Sequence, residues 1–362
     1  MQTVQTLKFI RKEVPPYASG TMGTTTGSVF RISSDWSRAD YWGMIKSRIG
    51  AFRMNYAVSP GLYAVGEPTK DSDIFVSANY KLSFDILRRE LKGFNAWVLV
   101  LDTKSINVWC AAGKGTFSTD ELISRMSATK LGTVVGHRSI IVPQLGAVGV
   151  NAAEVQKGTG FRVFFGPVRA KDIPSYIQAG YTKTKEMSTI RFTMRDRIIL
   201  TPMEINPAMK KFPWFAVGVL ILFGLQPSGI LFKKAWSGGM PFLALGLTAV
   251  LAGAFLTPVL LPFVPSRSFA VKGWIIGLLA MSAVMPLFGP SIRGEILLLV
   301  ASWLFFPAMS SYIALQFTGS TTFTGMSGVK KELKIGIPLY LSLAGISLAL
   351  LVIYKIKAWS ML

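Results

Sequence analysis

The chain has one cysteine and one histidine in 362 residues. A lone Cys cannot form an intrachain disulfide. Nor can it hold an iron–sulfur cluster by itself, since a cluster takes about four thiolates. One His removes the multi-histidine zinc sites. Redox or metal chemistry in this chain must therefore come from a bound cofactor or a partner. Acidic residues are also scarce: 18 against 39 Lys and Arg, for a net charge of +21. After residue 211 only Glu295 and Glu332 remain. Ion and proton pathways normally need ionisable groups inside the membrane. Their scarcity favours an anchor and assembly platform over a transporter. No apolar stretch near the N-terminus reads as a signal peptide, so the soluble part is expected to stay in the cytoplasm.

The part that follows residue 211 is built from apolar runs about 20 residues long, the length that crosses a bilayer as a helix. Five spans are expected, at 212–232, 240–264, 272–289, 296–317 and 335–354. Loop charge favours an N-inside orientation. Lys210, Lys211, Arg267, Lys272, Lys330, Lys331 and Lys334 would lie inside, and Lys233, Lys234, Arg293, Lys355 and Lys357 outside. Five spans then put the C-terminus outside the cytoplasmic (inner) membrane. Pro227, Pro258, Pro286, Pro307 and Pro338 are expected to kink helices, which membrane bundles tolerate. Lys272 is placed to snorkel. The Gly/Thr-rich 318–334 loop reads equally as a docking surface, a lid or a plain linker. The basic residues are spread along the chain without a recognition helix or stacking platform, so nucleic acid is not the expected partner. Anionic lipid is.

Three regions follow from the pattern: an extension at 1–45, a soluble domain at 46–205 and a membrane domain at 206–362. Residues 1–40 are rich in Gly, Ser and Thr and read as an irregular arm. A helix is expected at 41–58, broken by Ser59-Pro60-Gly61. Strands then alternate with helices: strands at Ile74–Ala78, Ala96–Leu101, Ser139–Val142 and Phe161–Phe165, helices at 81–91, 120–128, 151–156 and 170–179. Ser118 and Glu121 form a candidate capping box, and Pro174 fits a first helical turn. This alternation predicts an α/β domain with a mostly parallel sheet, followed by an all-α transmembrane domain of five helices. The continuous apolar run AWVLVL at 96–101 is typical of a strand covered on both faces.

Chemistry concentrates in Asn107-Val108-Trp109-Cys110-Ala111-Ala112-Gly113-Lys114-Gly115. The segment lies just beyond the Ala96–Leu101 strand, where open α/β sheets bind ligands. It is expected as a Gly-containing loop. Its small residues would let a large flat ligand approach the backbone, and Lys114 brings a cation near the sulfur. A soft sulfur donor suits a soft or borderline metal. By itself, though, a lone Cys is ordinarily a small buried hydrophobe.

Asn107 to Lys114 resembles, at every position, the signature N-(V/I)-W-C-A-(A/G)-G-K of the HgcA family, the corrinoid proteins of the microbial mercury-methylation pair. The stretches VSANYKLSFDILRREL at 76–91, VPQLGAVGV at 142–150 and GFRVFFGPVRAKDIP at 160–174 resemble the corrinoid-binding domain of the corrinoid iron–sulfur protein large subunit. The resemblance covers about residues 45–362. It implies a Rossmann-like corrinoid-binding domain holding cobalamin or a related cobamide base-off. Cys110 would be the lower axial ligand to cobalt and the catalytic residue. Asn107, Val108, Trp109, Cys110, Ala111, Ala112, Gly113 and Lys114 would form the cap beneath the corrin. The nucleotide tail would lie near Gly136, Gln144, Leu145, Gly146, Gly166, Pro167 and Val168. The implied reaction is methyl transfer from a methyl-Co(III) corrinoid to Hg(II), forming methylmercury. A folate-dependent methyl donor protein and an HgcB-like two-cluster ferredoxin as reductant are the implied partners. His137 lies in Val135-Gly136-His137-Arg138-Ser139, which lacks the D-x-H-x-x-G motif of His-ligated cobalamin enzymes, and reads as a structural loop residue.

Two other readings stand beside this one. A corrinoid methyl carrier of an acetyl-CoA (Wood–Ljungdahl) type pathway would share the soluble domain. The missing four-Cys motif and the membrane tail argue against it. A transporter or cobamide-uptake component is disfavoured by the uncharged spans.

Overall fold

The computed structural model describes residues 14–288, 292, 294–317 and 326–360. It divides into two compact units. One comprises the chain up to Ser47 with Ala51–Ile190; the other comprises Arg48–Gly50 with the chain from Arg191 onward. The first unit thus ends near residue 190, earlier than the expected 205. It also includes the segment read as a separate extension.

The first unit is an α/β domain around a seven-stranded sheet. Its strands are β1 (Ala18–Thr24), β2 (Gly27–Ile32), β3 (Gly61–Val65), β4 (Ile74–Ala78), β5 (Ala96–Leu101), β6 (Ser139–Val142) and β7 (Arg162–Phe165). Its main helices are α1 (Arg38–Ser47), α2 (Lys81–Glu90), α3 (Val108–Lys114), α4 (Thr119–Ala128), α5 (Leu131–Val134), α6 (Ala152–Thr159) and α7 (Ile173–Gln178). The order across the sheet is β1-β2-β3-β5-β4-β6-β7. β5, β4, β6 and β7 run parallel, while β3 is antiparallel to β5 and β1 to β2. The sheet is mostly parallel, as the alternation predicts.

Successive strand residues feed opposite cores, the period-two rule of a pleated strand. Trp97, Leu99 and Leu101 join Leu122, Met126 and Val155 on one face. Ala96, Val98 and Val100 join Phe84, Leu87 and Tyr176 on the other. Coverage on both faces explains the unbroken apolar run of β5. Burying side chains such as Phe84 and Leu91, both fully enclosed, contributes about 1.5–3 kcal/mol each.

Residues 18–32 are not an irregular arm. They form a hairpin that joins the sheet through β2, with Phe30 opposite Tyr63 and Ile32 opposite Val65. Only Met22, Val29, Phe30 and Ile32 bring large apolar groups to the cores. Short Thr and Gly residues fill the rest, which hides the strand in composition. The helix expected at 41–58 is shorter and earlier: α1 ends at Ser47, and a separate 3₁₀ turn follows at Ala51–Asn55.

A charge cluster fastens α1 to α2. Lys81 Nζ lies 2.7 Å from Asp40 and 2.6 Å from Asp85. Arg88 Nε donates to Asp85 at 2.8 Å, and its Nη1 donates to Ser33 O at 2.5 Å. Arg88 Nη2 lies 2.9 Å from Asp40 as a charge contact without hydrogen-bond alignment. Arg88 is completely buried. Burial acts to raise the Asp40 carboxyl, but Lys81, the Ser37 N–H and hydroxyl, and Arg88 outweigh it and hold it far below the usual carboxylate range.

The second unit holds five helices, among the described residues, long and apolar enough to cross a membrane: Met194–Gly224, Phe232–Leu260, Phe269–Phe288, Ile296–Gln316 and Ser327–Ser360. The third and fourth pack through small residues. A Cβ on Gly273 would lie 2.5 Å from Ala314 Cβ, and one on Gly277 would lie 2.8 Å from Ser310 Cβ. Ser310 Oγ donates to Gly273 O at 2.9 Å, and Ser311 Oγ to Ala270 O at 2.7 Å. Close backbone approach with hydroxyl cross-links is the usual helix–helix contact in lipid. Lys272 does not snorkel. Its Nζ turns inward to Leu261 O and Val264 O at 2.5 and 2.6 Å, satisfying carbonyls at the end of the preceding helix. Ahead of Pro258 the second helix loosens into a π turn at Ala252–Leu256, and Thr257 Oγ1 donates to Ala252 O at 2.7 Å. Pro307 and Pro338 lie inside helices. Pro286 sits in a 3₁₀ turn, and Pro227 falls between two short paired strands. Residues 318–325 of the Gly/Thr-rich loop, and Arg293, lie outside the described residues; the chain is helical again from Met326.

Two outcomes follow. Asp40→Asn strips a buried charge pair and should destabilise the α/β unit by about 3–5 kcal/mol, read by thermal melting. Because the Asp40 carboxyl is depressed on folding, its contribution is complete at neutral pH and fades as pH falls below about 3.9, its unfolded value. Acid melting of the wild type should therefore steepen below about pH 4, and Asp40→Asn should lose that part of the slope. Gly277→Leu should separate the third and fourth helices and lower the melting temperature in detergent.

Candidate functional site

β4 lies between β5 and β6, with Phe75 opposite Ile141 across the β4–β6 pair. The chain leaves β4 toward β5 and leaves β6 toward β7, so the connections diverge between β4 and β6. Such a switch point is where open α/β sheets leave a ligand crevice at the strands' carboxyl ends. A cleft of about 490 Å³ lies there. Phe75 and Ile141 are part of its floor, α2 supplies Ile86 and Arg89, and the loop after β7 supplies Gly166–Lys171. Asn107, Val108 and Trp109 complete the wall.

The segment that bears Cys110 is helical, not a loop. Asn107 is the N-cap of α3, and its Oδ1 accepts from the Cys110 N–H at 2.9 Å. Gly115 ends the helix with φ 77°, a left-handed cap that glycine adopts without strain. The turn feeding α3 is tighter still: Lys104 and Ser105 both take left-handed φ, 57° and 61°. Such residues cost about 1–3 kcal/mol each and persist only where the surroundings force them. Asn79 supplies that force. Its Oδ1 accepts from Thr103 N at 3.1 Å and Ser105 N at 3.0 Å, and lies 2.9 Å from Thr103 Oγ1. Its own N–H donates to Leu101 O at 3.0 Å. Composition gave no reason to single out Asn79. Its signal is a polar residue at the end of an otherwise apolar strand.

α3 turns Ala111 and Ala112 into the core and leaves Trp109, Gly113 and Lys114 exposed, with Cys110 half-buried. The two alanines pack into the core. A Cβ on Gly149 would lie 3.2 Å from Ala112 Cα and 2.1 Å from Phe117 O. Gly146 is a packing position too, since a Cβ there would lie 2.5 Å from the Phe117 ring. Ser118 caps α4 by accepting from Glu121 N at 3.3 Å. Glu121 does not return the bond; its Oε1 accepts from Asp102 N at 2.8 Å and so ties α4 to the end of β5.

The sequence-derived candidates therefore divide. Asn107, Val108, Trp109, Leu145, Gly166, Pro167 and Val168 share the cleft wall. Cys110 follows on the same helix but is not part of that wall. Gln144 lies beside it, held by the Lys183 ammonium, which burial pushes below its ordinary value. Gly136 precedes β6 and hydrogen-bonds Lys70 O at 2.8 Å, at the opposite end of that strand. His137 is structural: Nδ1 accepts from Ser139 N at 3.2 Å, and Nε2 lies 3.0 Å from Ser72 O. Arg89, Glu90, Arg169 and Lys171 are charged residues of the cleft that the sequence did not single out, and Arg89 pairs with Glu90 at 2.7 Å.

Asn79→Ala should release the left-handed turn and destabilise the α/β unit by about 1–3 kcal/mol, the cost of leaving buried partners unpaired. Amide hydrogen exchange should rise first in residues 103–115. Asn107→Ala should cost less, about 1 kcal/mol for a lost cap.

Comparison with known proteins finds similarity within the α/β unit. Residues 52–177 match the family described as CO dehydrogenase/acetyl-CoA synthase delta subunit. The acetyl-CoA decarbonylase/synthase complex subunit gamma of Archaeoglobus fulgidus is 29% identical over 126 residues, covering 34% of this chain and 26% of the relative. That of Methanopyrus kandleri is 26% identical over 123 residues, covering 33% and 26%. That of Methanosarcina acetivorans is 27% identical over 133 residues, covering 36% and 28%. The chain thus spans about a quarter of the length of these relatives. The comparisons do not single out the mercury-methylation family. They support a broader similarity: residues 52–177 resemble part of subunits of CO dehydrogenase/acetyl-CoA synthase and acetyl-CoA decarbonylase/synthase complexes.

Proposed function

We propose that this chain is a membrane-held corrinoid protein of methyl transfer, in which Cys110 would hold the cobalt. The observation that carries the reading is geometric. Asn107–Trp109 line a cleft at the switch point of the sheet, and Cys110 is the next residue on the same capped helix.

The residues fit a cobamide. The cleft, about 490 Å³, lies within the range of small-ligand sites and suits the nucleotide tail. Its apolar floor, with Arg169 and Lys171 among its lining, would suit a phosphate-bearing tail. Among the described residues no group of three or more His, Cys, Asp or Glu could hold a metal ion. A cobalt already held by a macrocycle needs only one protein donor, and Cys110 is that donor. When bound, the corrinoid supplies the cobalt that carries the methyl group. Asn107 fixes the Cys110 backbone through its 2.9 Å bond. Ala111 and Ala112 seat the helix in the core, which sets where the sulfur lies. A sulfur donor raises electron density at the metal, as a Cys ligand does in haem proteins.

Two methyl acceptors fit. The comparisons support the carrier role of an acetyl-CoA type pathway more directly, because the relatives are subunits of that complex. The eight-residue Cys signature favours Hg(II), a soft ion. Either way one Cys leaves reduction to an outside protein, such as an HgcB-like two-cluster ferredoxin, and methyl supply to a folate-dependent donor. The Lys and Arg bias of the loops supports a place in the cytoplasmic membrane, with the α/β unit inside.

The test loads the full chain in detergent with methylcobalamin and adds Hg(II). Methylmercury release that falls more than about tenfold in Cys110→Ala and Cys110→Thr, about 1.4 kcal/mol in barrier, supports Hg(II) as acceptor. Corrinoid binding without methylmercury leaves the carrier reading alone. No corrinoid binding overturns both.

A further inference from the structure

α1 is amphipathic in the reverse sense for a water-facing helix. Asp40, Gly43 and Ser47 are buried, while Arg38, Tyr41, Trp42, Ile45 and Lys46 are exposed. The exposed set follows the i, i+3, i+4, i+7, i+8 spacing of one helical stripe. Trp42 is 61% exposed. The helix cannot roll to hide this face. Asp40 is held by Lys81 and Arg88, and a Cβ on Gly43 would lie 2.0 Å from Tyr56 Oη. The 3₁₀ turn at Ala51–Asn55 adds Phe52 and Met54, the latter 60% exposed. Lys46 Nζ lies 5.9 Å from the Phe52 ring.

We infer that this face is an interfacial anchor that rests on the anionic surface of a lipid bilayer. Three observations carry the choice of lipid. Aromatic and aliphatic side chains alternate with Arg and Lys, the composition of segments that lie at the headgroup level. The only acid of α1, Asp40, is buried and already paired, so the outward face is purely cationic, complementary to anionic headgroups. The chain leaving α1 at Arg48–Gly50 belongs to the compact unit that contains the membrane-length helices. There Asn206 Nδ2 donates to Ile49 O at 2.9 Å. Asn206 lies in the first of those helices, shortly before Lys210, Lys211 and the apolar run that begins at Phe212.

The anchor has a mechanical consequence. Asp40, Lys81 and Arg88 join α1 to α2, and α2 is a wall of the cleft. A face resting on lipid through α1 would restrain the tumbling of the α/β unit against the membrane.

The test uses the full chain carrying Cys110→Ala and Met54→Cys, labelled at position 54 with an environment-sensitive fluorophore. The chain is reconstituted in nanodiscs of phosphatidylcholine and phosphatidylglycerol, with and without shallow spin-labelled lipid. The expected result is a blue shift together with loss of most of the emission when the quenching lipid is present. Adding Arg38→Glu and Lys46→Glu should restore emission several-fold. Emission indifferent to the quenching lipid overturns the proposal, whether the label then reports water or a covering protein such as an acidic partner or a second copy.

Discussion

A buried amide, Asn79, sets the geometry on which the candidate site depends. It sits at the carboxyl end of β4 and grips the chain leaving β5 through the N–H groups of Thr103 and Ser105. Those bonds stabilise two consecutive left-handed residues that would otherwise relax. The turn they enforce delivers Asn107 to the start of α3, and Asn107 in turn holds the Cys110 N–H. The sulfur is therefore positioned by a relay of two amides rather than by its own contacts. Low dielectric strengthens each bond of that relay, and it also makes a single broken partner costly.

The same logic runs through the rest of the chain. Two buried cations are paired: Arg88 with two carboxylates and two carbonyls, Lys272 with two carbonyls. Glycine appears where backbones must approach, at Gly149 against Phe117 O and at Gly273 against Ser311 Cα. α3 needs both devices. Its alanines sit on a loop brought close by Gly146 and Gly149, and its cap holds the exposed turn. The outcome is a rigid strand-end platform with one soft donor beside a cleft.

How much of this could be read from sequence depends on what encodes it. β4, β5 and β6 were legible to the residue, because strands covered on both faces become continuous apolar runs. The β1–β2 hairpin was not, because an edge of short Thr and Gly residues carries little apolar signal. The Cys110 segment stood out through its signature, yet its helical form did not, since Ala-Ala-Gly reads equally as a loop. Gly136, which precedes β6 in the chain, lies at that strand's amino end and is not among the residues lining the cleft. Asn79, Arg89 and Lys171 were hidden too. Their roles come from contacts between segments distant in sequence, and they entered the reading only inside stretches that resembled a family.

The account stands or falls on the bond between Cys110 and cobalt. X-ray absorption at the cobalt edge of the full chain loaded with a cobamide reads that bond directly. The prediction is a sulfur scatterer in the first coordination shell of the wild type, replaced by nitrogen or oxygen in Cys110→Ala. A first shell of nitrogen and oxygen alone, unchanged by the substitution, would contradict it.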